Sequence, residues 1–191
     1  MIRLLRNHYA LATVITTLII LVVSILLAGV LTYFAINVVS TRVQQESLLI
    51  SDANIWAPAT TAIGPVEGAL MITNTGGRDV VINQIQVRGQ PCLWTNVYYA
   101  VAVKTDNLNT ALTYTATITA GTTTFGGIAA TATAAPTTGD LVLPSGSTIV
   151  VYVLSPDSVT ITDIGLTIGF TVFTAQAMYY KETNVQAYTA P

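Results

Sequence analysis

Between Tyr9 and Val39 the chain reads YALATVITTLIILVVSILLAGVLTYFAINVV, without a single charge. At about 1.5 Å per residue, a run of this length exceeds the roughly 20 residues that cross the hydrocarbon of a bilayer. Its polar interruptions are mild. Thr13, Thr16, Thr17, Ser24 and Thr32 can return their hydroxyls to the helix backbone, Gly29 is tolerated in a membrane helix, and no proline breaks the run. Arg3, Arg6 and His8 precede it, whereas Arg42 is followed by Glu46 and Asp52, so the N-terminus is expected on the cytoplasmic side. The apolar core of a secretory signal peptide is about 7 to 15 residues, shorter than this stretch. Tyr33 and Phe34 suit the outer interface.

Working outward, the apolar pattern continues through Val43, Leu48, Leu49, Ile50, Ile55 and Trp56 before Pro58 breaks it. This predicts one helix from near Ala10 to near Trp56, on the order of 70 Å long, whose outer part needs a cover other than lipid. The chain therefore divides into a basic leader over residues 1–10, a hydrophobic helix over 11–56 and a β-rich head over 57–191. Of 191 residues, 52% are hydrophobic and 8% charged, with a mean hydropathy of +0.63. Such a chain has more apolar surface than an ordinary soluble domain and directs it toward lipid or other subunits. The net charge is −2, and Lys104 and Lys181 are its lysines, so no basic stripe is available for nucleic acid.

In the helix, Ala10-Leu11-Ala12-Thr13-Val14-Ile15-Thr16-Thr17-Leu18-Ile19-Ile20 follows a short basic leader, and this arrangement resembles the start of archaeal type IV pilins and archaellins. The resemblance implies cleavage by a prepilin peptidase between Ala10 and Leu11, followed by extraction of the subunit from the membrane into a filament by the pilus assembly machinery. Tyr9 stands where that family usually has Lys or Arg, with Arg6 the nearest basic residue. Bacterial type IV pilins carry a glutamate near the start of the mature helix; no acidic residue precedes Glu46 here, so the resemblance is to the archaeal branch. In such a polymer the apolar residues Leu18, Leu21, Val22, Ile25, Leu26, Val30 and Phe34 would form the core. Leu48, Leu49, Ile55 and Trp56 would pack the helix against the head. The partners implied are other copies of the chain and, before assembly, the membrane.

Beyond Pro58 short runs alternate with turn residues, the pattern of antiparallel strands. Gly68 to Thr73 leads through Asn74-Thr-Gly-Gly to Val80–Val87, which reads as a hairpin. A strand ending in Asn-x-Gly and followed by a VxIxxIxV strand is also frequent in archaeal pilin and archaellin heads. Further strands are expected at Leu93 to Val103, Ala111 to Thr119, Thr148 to Leu154, Ile164 to Phe173 and Gln176 to Tyr180. The stretch from Gly121 to Gly139, dense in Thr, Ala and Gly, reads as a long loop or weak edge strands. The fold class expected is thus α+β: a long N-terminal helix followed by an antiparallel, Ig-like β-sandwich of roughly seven strands. Abundant Thr and few charges fit burial between subunits or, as in many archaeal surface filaments, O-linked sugar; no N-x-Ser/Thr sequon occurs.

Constellations for catalysis are not apparent. The one histidine, His8, lies in the leader, and Cys92 has no histidine near it in sequence. One Cys and one His do not make a zinc site, and Asp106, Asp140, Asp157 and Asp163 do not have the spacing of a calcium loop. Gly76-Gly77 and Gly126-Gly127 read as turns rather than phosphate loops. No cofactor is expected. Cys92 reads as a small buried side chain. Trp94, Tyr98, Tyr99, Tyr179, Tyr180 and Tyr188 could form a binding platform, though strands commonly carry such residues for packing. The rival to a filament subunit is a single-span, membrane-anchored surface protein whose sandwich binds a partner.

Overall fold

The computed structural model describes residues 7–60, 64–102, 111–115, 117–121, 131, 133–135 and 139–189. Two compact units follow one another, Met1–Val43 and Gln44–Pro191. The first contains helix α1, Asn7–Val43, 37 residues long. Ala, Leu and other good helix formers alternate in it with β-branched residues, and no proline interrupts it.

Among the described residues the second unit is a mixed, mostly antiparallel sheet of ten strands. In chain order these are β1 Leu48–Pro58, β2 Glu67–Asn74, β3 Val80–Val87, β4 Gln90–Pro91, β5 Val97–Ala102, β6 Thr133–Ala134, β7 Leu141–Leu143, β8 Thr148–Leu154, β9 Thr167–Thr174 and β10 Met178–Tyr188. Along the sheet the order is β4-β3-β9-β10-β1-β2-β8-β5-β6, and β7 pairs with β3. The sheet curls so that its two halves share one core. Ile55 and Leu70 from one half and Ile82, Phe170 and Val172 from the other belong to the same buried cluster. The halves join through β10. Its first part, Met178 to Asn184, pairs antiparallel with β9, and Val185 to Tyr188 then run parallel to Ile55 to Pro58 of β1. Close approach across the core needs Gly68, where an added Cβ would lie 2.9 Å from Cζ of Phe170.

Several expectations need correction. The helix does not continue to Trp56; it ends at Val43, and Leu48–Pro58 is a strand. A β-bulge between Ile50 and Asp52 explains the misreading. The bulge shifts the inward parity, so the core-facing residues are Leu48, Ile50, Ala53, Ile55 and Ala57, and the step of three from Ile50 to Ala53 imitates a helical period. The hairpin joining Gly68–Thr73 to Val80–Val87 is also absent. β2 pairs with β1 and β8, whereas β3 pairs with β4, β7 and β9, so the turn after Asn74 carries the chain from one half of the curl to the other. Within Ala111 to Thr119 the described residues form no strand. Leu93 to Val103 begins with a 3-10 turn at Trp94–Asn96 before β5, and the last expected strand extends to Tyr188. Asp106, Lys104, Gly126 and Gly127 lie outside the described residues, as does much of the stretch between Gly121 and Gly139.

β2 and β8 are buried on both faces, which is why EGALMITN and TIVVYVL read as continuous apolar runs rather than alternating ones. Their outer face carries a second cluster in which Ala69, Met71, Val150 and Tyr152 lie beneath Leu112 and Ile118.

Candidate functional site: an uncovered apolar helix and a clasped sheet face

On α1 the hydroxyls turn inward to their own backbone. Thr16 Oγ1 donates to the carbonyl of Ala12 at 2.8 Å, Ser24 Oγ to Ile20 at 2.7 Å and Thr32 Oγ1 to Ala28 at 2.8 Å. Thr17, Asn37 and Thr41 likewise donate to carbonyls three or four residues back. These bonds spend the donors that would otherwise face outward, and the helix shows an apolar surface on all sides. Leu18, Leu21, Val22, Ile25, Leu26, Val30 and Phe34 are all exposed, from 44% at Val22 to 67% at Phe34. Leu11–Thr41 is long and apolar enough to cross a membrane. At about 1.5 Å per residue these 31 residues reach about 46 Å, half as long again as a hydrocarbon core of about 30 Å.

The expected processing residues Ala10 and Leu11 both lie within the helix, Leu11 exposed. The residues expected to pack helix against head are themselves part of the head. Leu48, Ile55 and Trp56 are buried in β1, while Leu49 points outward and is exposed. Both core clusters are built from residues of Gln44–Pro191.

In the head the structure brings together three polar side chains, Glu67 and Tyr152 buried and Asp52 half-buried, in a role the sequence did not show. Asp52, Glu67 and Tyr152, on β1, β2 and β8, each bond the backbone of residues 111–115, which cross the outer face of the sheet. Asp52 Oδ2 accepts from the N–H of Leu112 at 3.0 Å, Tyr152 Oη donates to the carbonyl of Thr113 at 2.7 Å, and Glu67 Oε1 accepts from the N–H of Thr115 at 3.0 Å. Glu67 is 1% exposed. Burial pushes its carboxyl up to about 8, against the opposing effect of the Thr115 N–H. Around it Trp56 stacks on Tyr152 at 6.4 Å, and Tyr114 stacks on Tyr188 at 3.8 Å. The signal available in the sequence was a lone Glu opening an otherwise apolar strand.

Asn74, also fully buried, ends β2. Its Nδ2 donates to the carbonyls of Arg78 and Leu143, and its Oδ1 accepts from the N–H of Gly76. Arg88 pairs with Asp163 at 3.0 Å, and hydrogen bonds from Thr160 hold the Asp163 carboxyl below its usual range. Asp140, Asp157 and Asp163 are not gathered; among the described residues no group of three His, Cys, Asp or Glu could hold a metal ion. The six aromatics do not share one surface. Trp94, Tyr99 and Tyr179 pack against the main core, Tyr98 and Tyr188 belong to the outer cluster, and Tyr180 is exposed on β10. Cys92 is half-buried, and burial pushes its thiol up to about 12.

No family model matches the chain, and a search of curated proteins finds no match.

Proposed function

We propose that this chain is a structural subunit of an extracellular filament of the archaeal type IV pilin kind, polymerising through α1 for adhesion or surface attachment. The observation that carries the reading is a long helix that is apolar all round, with its hydroxyls bonded back to its own carbonyls. Such a helix is stable in lipid and equally stable in a bundle of its own kind, because association there rests on close packing and not on water exclusion. The excess of the span over the hydrocarbon thickness also favours a bundle, since apolar residues left outside lipid need apolar neighbours. In this reading the curled sheet serves as an Ig-like sandwich head forming the outer sheath, and its own core keeps it folded before and after assembly. A prepilin peptidase removes the leader ahead of Leu11, and an assembly machinery draws the subunit from the membrane.

The test is mass spectrometry of the N-terminus of material sheared from the surface of source cells, together with electron microscopy of the same fraction. Filaments composed of a chain beginning at Leu11 are expected. Recovery only from the membrane fraction with the leader intact would overturn the proposal in favour of a single-span anchored surface protein.

A further inference from the structure

Residues 111–115 have no strand partner, yet they lie over the apolar outer face of β1, β2 and β8 and are fixed there by side chains from all three strands. This strap covers Met71 and Val150 and inserts Leu112, which is 4% exposed. Two of its three clasps are carboxyl groups. We propose that the strap is a proton-controlled cover, clasped to the sheet while Glu67 is neutral and released when Glu67 ionises, uncovering an apolar strip of the head.

Glu67 is on β2, opposite Trp56 of β1 and Leu154 of β8. The titratable groups near it are Tyr152 from β8, Tyr114 from the strap, Tyr188 from β10 and Asp52 farther along β1. None of these is a cation, and burial raises both Tyr114 and Tyr152, which therefore stay neutral through the working range. A neutral carboxyl fits this setting, because its carbonyl oxygen still accepts the Thr115 N–H. Among the described residues an ionised one is buried with a single backbone donor and no counter-charge, which a low-dielectric site strongly disfavours. Burial pushes the carboxyl up to about 8.

Relief must come from water reaching the carboxylate. β2 cannot move to admit it, since both its edges are paired, to β1 and to β8. The strap can, because it has no ladder bonds and is held by the three clasping side chains, the stacking of Tyr114 on Tyr188 and the burial of Leu112. The direction is fixed by these facts: stability of the clasp is full at low pH and is lost as pH rises through the value at which Glu67 ionises. This device belongs to the head alone and is independent of whether α1 forms filaments.

The experiment uses the full chain in detergent micelles, with amide hydrogen exchange expressed as protection factors to remove the intrinsic pH dependence of exchange. Between pH 6 and pH 9.5, protection at Leu112 and Thr115 is expected to fall at least tenfold, while Met71 and Val150 on β2 and β8 retain theirs. In Glu67→Gln, which keeps an acceptor for Thr115 but cannot ionise, strap protection is expected to stay level. Asp52→Asn should preserve the fall. In wild type, a carbon-13 label on the Glu carboxyls should show strap protection falling below the pH at which Glu67 completes its ionisation and levelling off above it, a comparison that stands even if a variant fails to fold. Constant wild-type protection, a fall in β2 and β8 that matches the strap, a Glu67→Gln protein with an unchanged pH response, or strap protection that begins to fall only after Glu67 is fully ionised would each overturn the proposal.

Discussion

The side-chain amide of Asn74 donates to the carbonyl of Leu143 at 3.1 Å, joining the end of β2 to the end of β7 across the turn that passes from one half of the curled sheet to the other. The same nitrogen donates to the carbonyl of Arg78, and Oδ1 caps the N–H of Gly76. One buried side chain thus satisfies three backbone groups. Asn74→Ala leaves them without partners and should cost about 2–3 kcal/mol. Asn74→Asp retains the acceptor for Gly76 but loses both donors, so it should be at least as damaging at neutral pH. Urea unfolding of the full chain in micelles checks both, and a loss below about 0.5 kcal/mol for either would refute the role given to this residue.

Two glycines should respond differently to the same methyl group. At Gly68 an added Cβ meets the Phe170 ring at 2.9 Å, and Phe170 is completely buried among core residues that leave it nowhere to turn. Gly68→Ala should therefore cost about 1–3 kcal/mol, the usual penalty of overpacking. At Gly169 the added atom would overlap the ring of Tyr180, but that ring is exposed and can swing aside, losing its hydrogen bond to Glu182. Gly169→Ala should cost under about 1 kcal/mol, and the cost should shrink further in the Tyr180→Ala background. Comparable losses at the two sites would mean that the sheet, and not the facing ring, governs both.

These particulars also show which features could be read in the sequence. The α+β class, α1 and the strands at Val80–Val87 and Thr148–Leu154 follow from charge-free length and from apolar runs bounded by turns. β1 was hidden because its bulge places core residues three apart, at Ile50 and Ala53, where a helix would also place them. The β2 to β3 connection was hidden because a turn sequence reports a reversal of direction and not the partner reached after it. The clasping roles of Glu67 and Asp52 were hidden for a related reason: their partners are backbone amides of Thr115 and Leu112, 48 and 60 residues away, and a backbone amide has no sequence signature.

Cys92 offers a chemical check on the burial of the short β4 region. A thiol held near 12 has about a thousandth of the thiolate of one at the reference value of 9.0 when both are at pH 8. Since the thiolate is the attacking form, iodoacetamide should label native Cys92 at least a hundredfold more slowly than the urea-unfolded chain. The native rate should then rise about tenfold per pH unit from 8 to 11, where an ordinary thiol has already levelled off. Rapid native labelling at pH 8 would show that the segment around Cys92 opens to solvent.

The last prediction concerns the middle of α1. Leu26 is 64% exposed on a helix whose neighbouring residues are apolar on every side, and no basic side chain lies between Leu11 and Thr41 to pair with an acid placed there. In Leu26→Asp, insertion of the helix into a bilayer should lose about 2.5–3.5 kcal/mol, which a span of this length and apolarity can tolerate. A packed bundle is less forgiving, because every subunit would bring the same unpaired charge to the same depth, and neighbouring copies would repel. The variant should therefore still fractionate with membranes, yet yield no sheared filaments, whereas Leu26→Ala should yield both. If Leu26→Asp forms filaments in normal amount, this stretch of α1 is not their core. If Leu26→Ala also abolishes them while membrane fractionation persists, close packing at this one position, and not the charge, decides assembly.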